Sequence, residues 1–147
     1  MGKVTSSAQR RIGAPVERVR ELVADYAQVR PEVLTEQFRD YQVVDGGVGA
    51  GTTATWKLQA TSKRVRDVRA EVTEPEPGTI VETDANSTMV TTWTVRESDG
   101  GSLVRVETTW EGATGIGGFF ERMFAPGGLK RIYEGVLANL AARAEQS

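Results

Sequence analysis

The sequence contains no cysteine and no histidine among its 147 residues. Without cysteine the chain forms no disulfide and performs no thiolate chemistry. Without histidine it lacks the most common metal ligand and the most common general base near neutral pH. These absences exclude Cys-His and Ser-His-Asp catalysis and the usual zinc sites, and we predict neither a metal site nor a cofactor.

Long apolar runs are also missing. The sequence has no stretch of about 18 apolar residues that would span a membrane, and it does not begin with a charged segment followed by an apolar core. We therefore expect a cytoplasmic protein without integral membrane association. The net charge of -2 argues against a nucleic-acid partner. The composition, 39% hydrophobic and 26% charged, is typical of a soluble protein, and the length fits a single domain over residues 1–147.

The C-terminal segment carries the longest helical pattern. Its apolar residues recur at steps of three and four, which places them on one face of an α-helix that must be buried. They are Leu129, Ile132, Tyr133, Val136, Leu137, Leu140, Ala141 and Ala144. Because most of the chain before this helix has strand patterns, the natural partner of this face is a β-sheet.

Seven segments upstream have the alternation and the turn punctuation of β-strands. They cover residues 3–12, 36–45, 52–61, 63–74, 79–85, 88–97 and 102–112. Two short helical segments follow the first strand, over residues 15–27 and 32–35, and the mixed parity of the second strand indicates a bulge near Asp40 or a twisted edge. This order predicts an α+β fold in which a curved seven-stranded antiparallel sheet wraps around the long C-terminal helix.

An aromatic cluster precedes the C-terminal helix and does not share its phase. Phe119, Phe120, Met123 and Phe124 would lie roughly 140° from the Leu129–Ala144 stripe on one straight helix. Pro126-Gly127-Gly128 stands between the two sets and predicts a break. The cluster is then a lid over a cavity, a patch that touches membranes, a contact in a homodimer, or part of the core.

Several motifs mark the entry to the first helix and the turns. Ile12-Gly13-Ala14-Pro15-Val16-Glu17-Arg18-Val19 is similar to the "I-x-A-P-x-E-x-V" helix entry of the SRPBCC superfamily, and the stretches 22–26, 48–52 and 137–140 also resemble that group. The superfamily includes START domains, the birch-pollen allergen family and bacterial polyketide cyclases or dehydratases. The resemblance covers the whole chain and implies the helix-grip fold, with a cavity between sheet and helix for lipids, isoprenoids, steroids, plant hormones or polyketides. It carries over no catalytic residues.

Inward positions of the strands and helices are the candidate ligand contacts. Each alone is either core or pocket lining, but together they form an apolar set with a few hydroxyls, which is usual for a small-molecule site. The set is Trp56, Leu58, Val68, Met89, Thr91, Trp93, Thr108, Trp110, Phe120, Phe124, Tyr133 and Leu137. Arg64 and Arg66 share an inward parity. Arg66 is added as a candidate for a ligand carboxylate, phosphate or enolate, with a solvated strand end as the alternative.

Carboxylates and tyrosines are the remaining groups that could move protons. The strand parity predicts solvent-facing positions for Glu82, Asp84, Glu107 and Glu111. With the opposite parity of the fifth strand, Glu82 and Asp84 would enter the cavity, and a desolvated carboxylate there would be a candidate general base. The possible proton donors are Tyr26, Tyr41 and Tyr133.

The favoured function is binding, and possible transport, of a hydrophobic small molecule such as a lipid, isoprenoid or polyketide. The first alternative is a polyketide cyclase or dehydratase that uses tyrosine, arginine or carboxylate groups of the cavity, although no catalytic residue can be assigned. The second alternative is a protein-interaction module without a ligand. The sequence alone leaves all three open.

Overall fold

A computed structural model describes residues 3–61, 64–111 and 126–146. The elements in these ranges are β1 (Lys3–Ile12), α1 (Val16–Ala24), α2 (Arg30–Val33), β2 (Phe38–Asp45), β3 (Thr53–Thr61), β4 (Arg64–Glu76), β5 (Thr79–Asp84), β6 (Val90–Ser98), β7 (Gly101–Glu111) and α3 (Pro126–Glu145). None of the helices in these ranges is long and apolar enough to cross a membrane.

The strands form one antiparallel sheet in the order β1-β7-β6-β5-β4-β3-β2. Consecutive strands from β2 to β7 are neighbours, while β1 pairs with β7 over its whole length, from Lys3 opposite Glu111 to Ile12 opposite Ser102. The predicted helix-grip architecture is thereby confirmed, with its seven-stranded sheet, its two short helices after β1 and its long C-terminal helix. The predicted bulge in β2 is also present, since the register shifts after Arg39 and Asp40 has a φ of 53°.

The core lies between one face of the sheet, called the inner face here, and the apolar stripe of α3. Alternate residues on β3, β4, β6 and β7 are buried on the inner face, as period-two patterning requires. The α3 residues at the predicted stripe positions are buried, except Ile132, which is half-buried against the same core. The stripe therefore packs as its periodicity predicted.

Helix α3 begins at Pro126, so it includes the Pro126-Gly127-Gly128 stretch at which we predicted a break. Proline suits the first turn of a helix because its missing N–H has no intrahelical acceptor there. The aromatic cluster from Phe119 to Phe124 lies outside the described residues, so its predicted role stays a prediction.

The C-terminal end of α3 is held by the segment that contains α1. Arg18 donates from Nε to the Ala144 carbonyl at 2.9 Å and from Nη2 to the Arg143 and Gln146 carbonyls. The Gly13 amide donates to Glu145 Oε2 at 2.8 Å. The last turn of a helix leaves carbonyls without intrahelical partners, and Arg18 supplies donors to them.

The first helix is shorter than predicted, ending at Ala24 instead of near residue 27. The chain turns there because the amides of Tyr26 and Ala27 both donate to the Gly47 carbonyl, at 2.9 and 3.1 Å. The glycine-rich loop between β2 and β3 thus packs against the end of α1. Gly46 has a φ of +71°, and a Cβ there would come within 2.8 Å of the Thr52 backbone, so this loop requires glycine.

Candidate functional site

Five aromatic side chains form a continuous arc between the sheet and α3. Tyr41 stacks on Trp56 with ring centroids 6.0 Å apart, and Trp56 meets Phe38 edge to face at 6.1 Å. Phe38 and Trp93 both contact the Tyr133 ring edge to face, at 5.8 and 5.9 Å. This aromatic arc joins β2, β3 and β6 to α3, and edge-to-face pairs of this kind fix ring orientation.

A buried polar cluster of Tyr26, Arg30 and Glu82 adjoins the Trp93 end of the arc. Arg30 Nη1 and the Tyr26 hydroxyl donate to the same oxygen, Glu82 Oε2, at 2.8 and 2.5 Å. Arg30 Nη2 donates to the Val23 carbonyl at 3.0 Å. The guanidinium carbon lies 4.1 Å from the centre of the Tyr26 ring and 4.7 Å from that of Trp93. The Arg30 guanidinium is therefore held by hydrogen bonds to Glu82 and Val23, and the Tyr26 and Trp93 rings pack against it.

The charges of this cluster balance within the protein. Arg30 and Glu82 are only 3% and 4% exposed, and their charged atoms form an ion pair. Burial alone would lower the pKa of the Arg30 guanidinium, but the nearby Tyr26 and Glu82 outweigh it and raise that pKa, so Arg30 stays charged. Burial is also the main reason that the pKa of Tyr26 lies well above its ordinary value, so its hydroxyl keeps its proton.

A row of polar residues crosses the inner face beside this cluster. Glu82 on β5 stands opposite Thr91 on β6, Thr91 opposite Thr108 on β7, and Thr108 opposite Ser6 on β1. Directly opposed residues share one face of a sheet. Thr91 and Thr108 share a hydrogen bond between their hydroxyls at 2.9 Å, and the Tyr133 hydroxyl from α3 bonds with both. Burial, with the Glu82 charge adding to it, raises the pKa of Tyr133. A row of neutral hydroxyls, called the hydroxyl row here, therefore runs beside Glu82 on the otherwise apolar inner face.

Two indole N–H groups in the aromatic arc have no acceptor among the described residues. They are the Nε1 groups of Trp56 and Trp93, and these two residues are only 5% and 2% exposed. An indole nitrogen only donates, and a buried donor without an acceptor costs free energy. A hydrogen-bond acceptor on a bound molecule would remove that cost.

A groove of about 600 Å³ lies at the surface between the start of β2 and the first turns of α3. It is lined by Thr35, Glu36, Gln37, Gly128, Arg131, Ile132 and Gly135. Gln37 and Ile132 directly precede Phe38 and Tyr133 in the chain, and these two rings touch in the aromatic arc. The groove therefore lies just outside the arc.

The structure buries most of the candidate ligand contacts on the inner face or on α3. These are Trp56, Leu58, Val68, Met89, Thr91, Trp93, Thr108, Trp110, Tyr133 and Leu137. The arc and the hydroxyl row bring Trp56, Trp93, Tyr133, Thr91 and Thr108 together. The other two candidates, Phe120 and Phe124, lie outside the described residues, as does the Arg64 side chain. Whether any of these residues contacts a ligand stays a prediction.

Arg66 stands opposite Leu58 in the β3–β4 register, so it shares the inner face with that buried leucine. It is half-buried, and its Nη2 donates to the Asn86 carbonyl at 3.2 Å. The Arg66 guanidinium therefore lies at the β5–β6 turn, at the edge of the inner face. Its proposed contact with a ligand anion stays a prediction.

The solvent-facing placement predicted for Glu82 and Asp84 is wrong. Both are buried, because β5 turns Ile80, Glu82 and Asp84 inward and leaves Val81 half-buried and Thr83 exposed. Apolar side chains occupy both even and odd positions of this strand, so alternation alone could not show which positions face inward. The same prediction holds for Glu107, which is half-buried on the outer face, and for Glu111, which is exposed.

The two buried carboxylates do different things. Asp84 accepts from the amides of Arg69 and Asn86, both at 3.0 Å, and from the Ser87 hydroxyl at 2.7 Å. It therefore organises the turn between β5 and β6. Only Glu82 belongs to the interior cluster with tyrosine and arginine.

Arg30 was not among the site residues predicted from the sequence. A signal for it existed, because Arg30 follows Val23 by seven residues and Tyr26 by four, and so continues the apolar stripe of α1 at helical spacing. A cation at an inward position of that stripe predicts a buried partner of opposite charge. Phe38 was missed as a site residue because a lone phenylalanine at a strand start is indistinguishable from core.

Comparisons with known proteins place these features in context. The model of a family described as "Polyketide cyclase / dehydrase and lipid transport" matches residues 1–145. The solution structure of the KanY protein (ms6282) is 49% identical, with a TM-score of 0.90 over 99% of this chain and 100% of that chain. No curated protein matches the sequence.

More distant structures share the fold. A START superfamily protein from Mycobacterium smegmatis is 12% identical, with a TM-score of 0.70 over 99% of both chains. The di-domain ARO/CYC BexL from the BE-7585A biosynthetic pathway is 16% identical, with a TM-score of 0.74 over 99% of this chain and 51% of that chain. At such identities the likeness concerns the fold alone.

Proposed function

The chain belongs to the family of polyketide cyclases, dehydrases and lipid-transport proteins, and on that premise we propose that it binds a hydrophobic small molecule between the inner face of the sheet and α3. The ligand contacts are the aromatic arc, the hydroxyls of Thr91 and Thr108, and the neighbouring apolar residues of the inner face. Arg66 stands at the edge of this site, and the groove beside Phe38 and Tyr133 is the route of entry.

One observation carries the proposal: the Trp56 and Trp93 indole N–H groups are buried in the arc without an acceptor among the described residues. A phenylalanine would also fill an apolar interior with a large ring, and it would leave no unmet donor. Largely apolar sites with a few polar groups that orient the ligand are the usual form of small-molecule sites.

The test is a titration with acetylnaphthalene, an apolar double ring that carries one ketone. We expect saturable binding by calorimetry and a higher midpoint of thermal unfolding, since a ligand that binds only the folded state stabilises it. Trp93→Phe removes one donor and should weaken binding by about two- to tenfold. The matched control is Val44→Thr, at an exposed position of β2, which should bind as the wild type does. If no member of a panel of apolar ligands binds, the proposal is wrong.

A second candidate function is catalysis of a polyketide cyclisation or dehydration. The observation that favours it is the Tyr133 hydroxyl, which is buried beside the Thr91 and Thr108 hydroxyls on the inner face and keeps its proton. Tyr133 would donate a hydrogen bond to a substrate carbonyl and polarise it. Turnover of an aromatic polyketide precursor that is lost in Tyr133→Phe, with ligand binding retained, would establish this function.

A further inference from the structure

We propose that Glu82 is an internal counterion that makes the interior site select uncharged ligands with hydrogen-bond acceptors, such as ketones, ethers and alcohols, over carboxylates. This inference rests on the proposed ligand-binding function and specifies the chemical class of the ligand. It follows from the placement of one cation and one anion beside the aromatic arc.

Among the side chains that the structure describes, Arg30 is the one cation that is buried. Its guanidinium lies 4.7 Å from the centre of the Trp93 ring, so it borders the arc directly. A buried guanidinium without a partner attracts carboxylates strongly, because its planar fork of donors matches their geometry. Alone, Arg30 would make this interior an anion site.

Glu82 removes that attraction. Its Oε2 takes the Arg30 Nη1 donor at 2.8 Å, and the Val23 carbonyl takes Nη2 at 3.0 Å. The Tyr26 hydroxyl donates to the same carboxylate oxygen and holds it in place. A ligand carboxylate beside Trp93 would therefore add a second negative charge next to Glu82, and an uncompensated buried charge is costly.

An uncharged acceptor meets the opposite situation. The Trp56 and Trp93 indole donors have no acceptor among the described residues, and Tyr133 keeps its proton. A carbonyl or ether oxygen satisfies such a donor without bringing charge into the interior. The same site should therefore bind a carboxylate weakly and a ligand with a neutral oxygen more tightly.

The experiment compares two ligands of nearly equal shape, acetylnaphthalene and naphthoate substituted at the same ring position, by calorimetry near neutral pH, where the acid is ionised. The wild type should bind the ketone at least about tenfold more tightly. Glu82→Gln leaves the Arg30 charge without its counterion, so naphthoate affinity should rise about tenfold or more and the preference should shrink or reverse. Naphthoate, but not the ketone, should raise the thermal midpoint of Glu82→Gln more than that of the wild type.

Two control variants separate this mechanism from others. Tyr26→Phe removes the second donor to Glu82 but keeps both charges, so the wild-type preference should persist. Arg66→Gln tests a second arginine of the inner face. In the Arg66→Gln background, Glu82→Gln should still raise the naphthoate affinity about tenfold or more relative to Arg66→Gln alone. If that rise is lost, the carboxylate binds at Arg66 and the inference is wrong.

The remaining outcomes are also decisive. Equal wild-type affinities for ketone and carboxylate, or an unchanged ratio in folded Glu82→Gln, would overturn the role of Glu82 while leaving ligand binding itself intact. Absence of binding by either probe and by the wider apolar panel would instead remove the proposed function, and this inference with it. If Glu82→Gln does not fold alone, the wild-type ratio still decides, and refolding that naphthoate promotes but the ketone does not would support the inference.

Discussion

Replacing Arg30 by methionine should be among the most destabilising single substitutions in this protein. Methionine preserves much of the apolar stem but leaves the Glu82 carboxylate, 4% exposed, without its counterion. Removing one partner of a buried ion pair typically costs about 3–5 kcal/mol. The Val23 carbonyl also loses its donor from Arg30, and the contacts of the guanidinium with the Tyr26 and Trp93 rings disappear. We expect a loss of about 4 kcal/mol in the free energy of unfolding.

A double-mutant cycle isolates the part of this loss that belongs to the pair. Glu82→Leu in the Arg30→Met background removes the stranded charge, so the double variant should recover about 2–3 kcal/mol relative to Arg30→Met. It should stay below the wild type, because the Tyr26 hydroxyl and the Val23 carbonyl then lack their present partners.

Urea unfolding followed by circular dichroism measures these differences. With a slope of about 2 kcal/mol per molar urea, a loss of about 4 kcal/mol lowers the midpoint by about 2 M. The control is Arg105→Met, which breaks the exposed pair with Glu107 and should cost at most about 1 kcal/mol. A loss in Arg30→Met no larger than in this control, or additive effects of Arg30→Met and Glu82→Leu, would show that the buried pair does not stabilise the fold as described.

Two further predictions concern the tyrosines and the end of α3. Because burial raises the pKa of Tyr133, its stabilising contribution is complete below the ordinary tyrosine pKa of about 10 and is lost as pH rises above it. The urea midpoint of the wild type should therefore fall as the pH is raised above about 10. In Tyr133→Phe the free energy of unfolding should depend less steeply on pH, by up to about 1.4 kcal/mol per pH unit. An equal pH dependence in the wild type and the variant would contradict the prediction. Arg18→Ala removes the donors to the last carbonyls of α3. It should lower the free energy of unfolding by about 1–3 kcal/mol and speed amide hydrogen exchange in the last turn of α3. A loss no larger than that of Arg105→Ala would contradict this prediction.

The parts of the fold that follow from periodicity were predictable. The α3 stripe contains enough residues at helical spacing to define its buried face, and most strands alternate cleanly between apolar and polar positions. The bulge at Asp40 was visible as a change of parity within β2. The family motifs then indicated how these elements assemble, which periodicity alone does not show.

The polar interior was not predictable in the same way. β5 carries Ile80 and Val81 on opposite faces, so the orientation of Glu82 depends on which of them the neighbouring strands bury. Arg30 and Glu82 are 52 positions apart, and no local pattern shows that they pair. Each could be recognised only as a charged residue at an ambiguous position, and the pairing itself is a tertiary event. The contributions of Phe120 and Phe124 remain predictions from the sequence.

The pairing of β1 with β7 has a consequence for how the protein reaches its native state. β1 stands at one edge of the sheet and pairs with β7, while the Gly13 amide meets a Glu145 side chain 132 positions away. Contacts of such sequence separation form slowly, because a long loop must close before they contribute stability. A ribosome must therefore release the chain as far as Glu111 before β1 can pair over its whole length, and the inner face of the sheet stays exposed to other chains until α3 has followed.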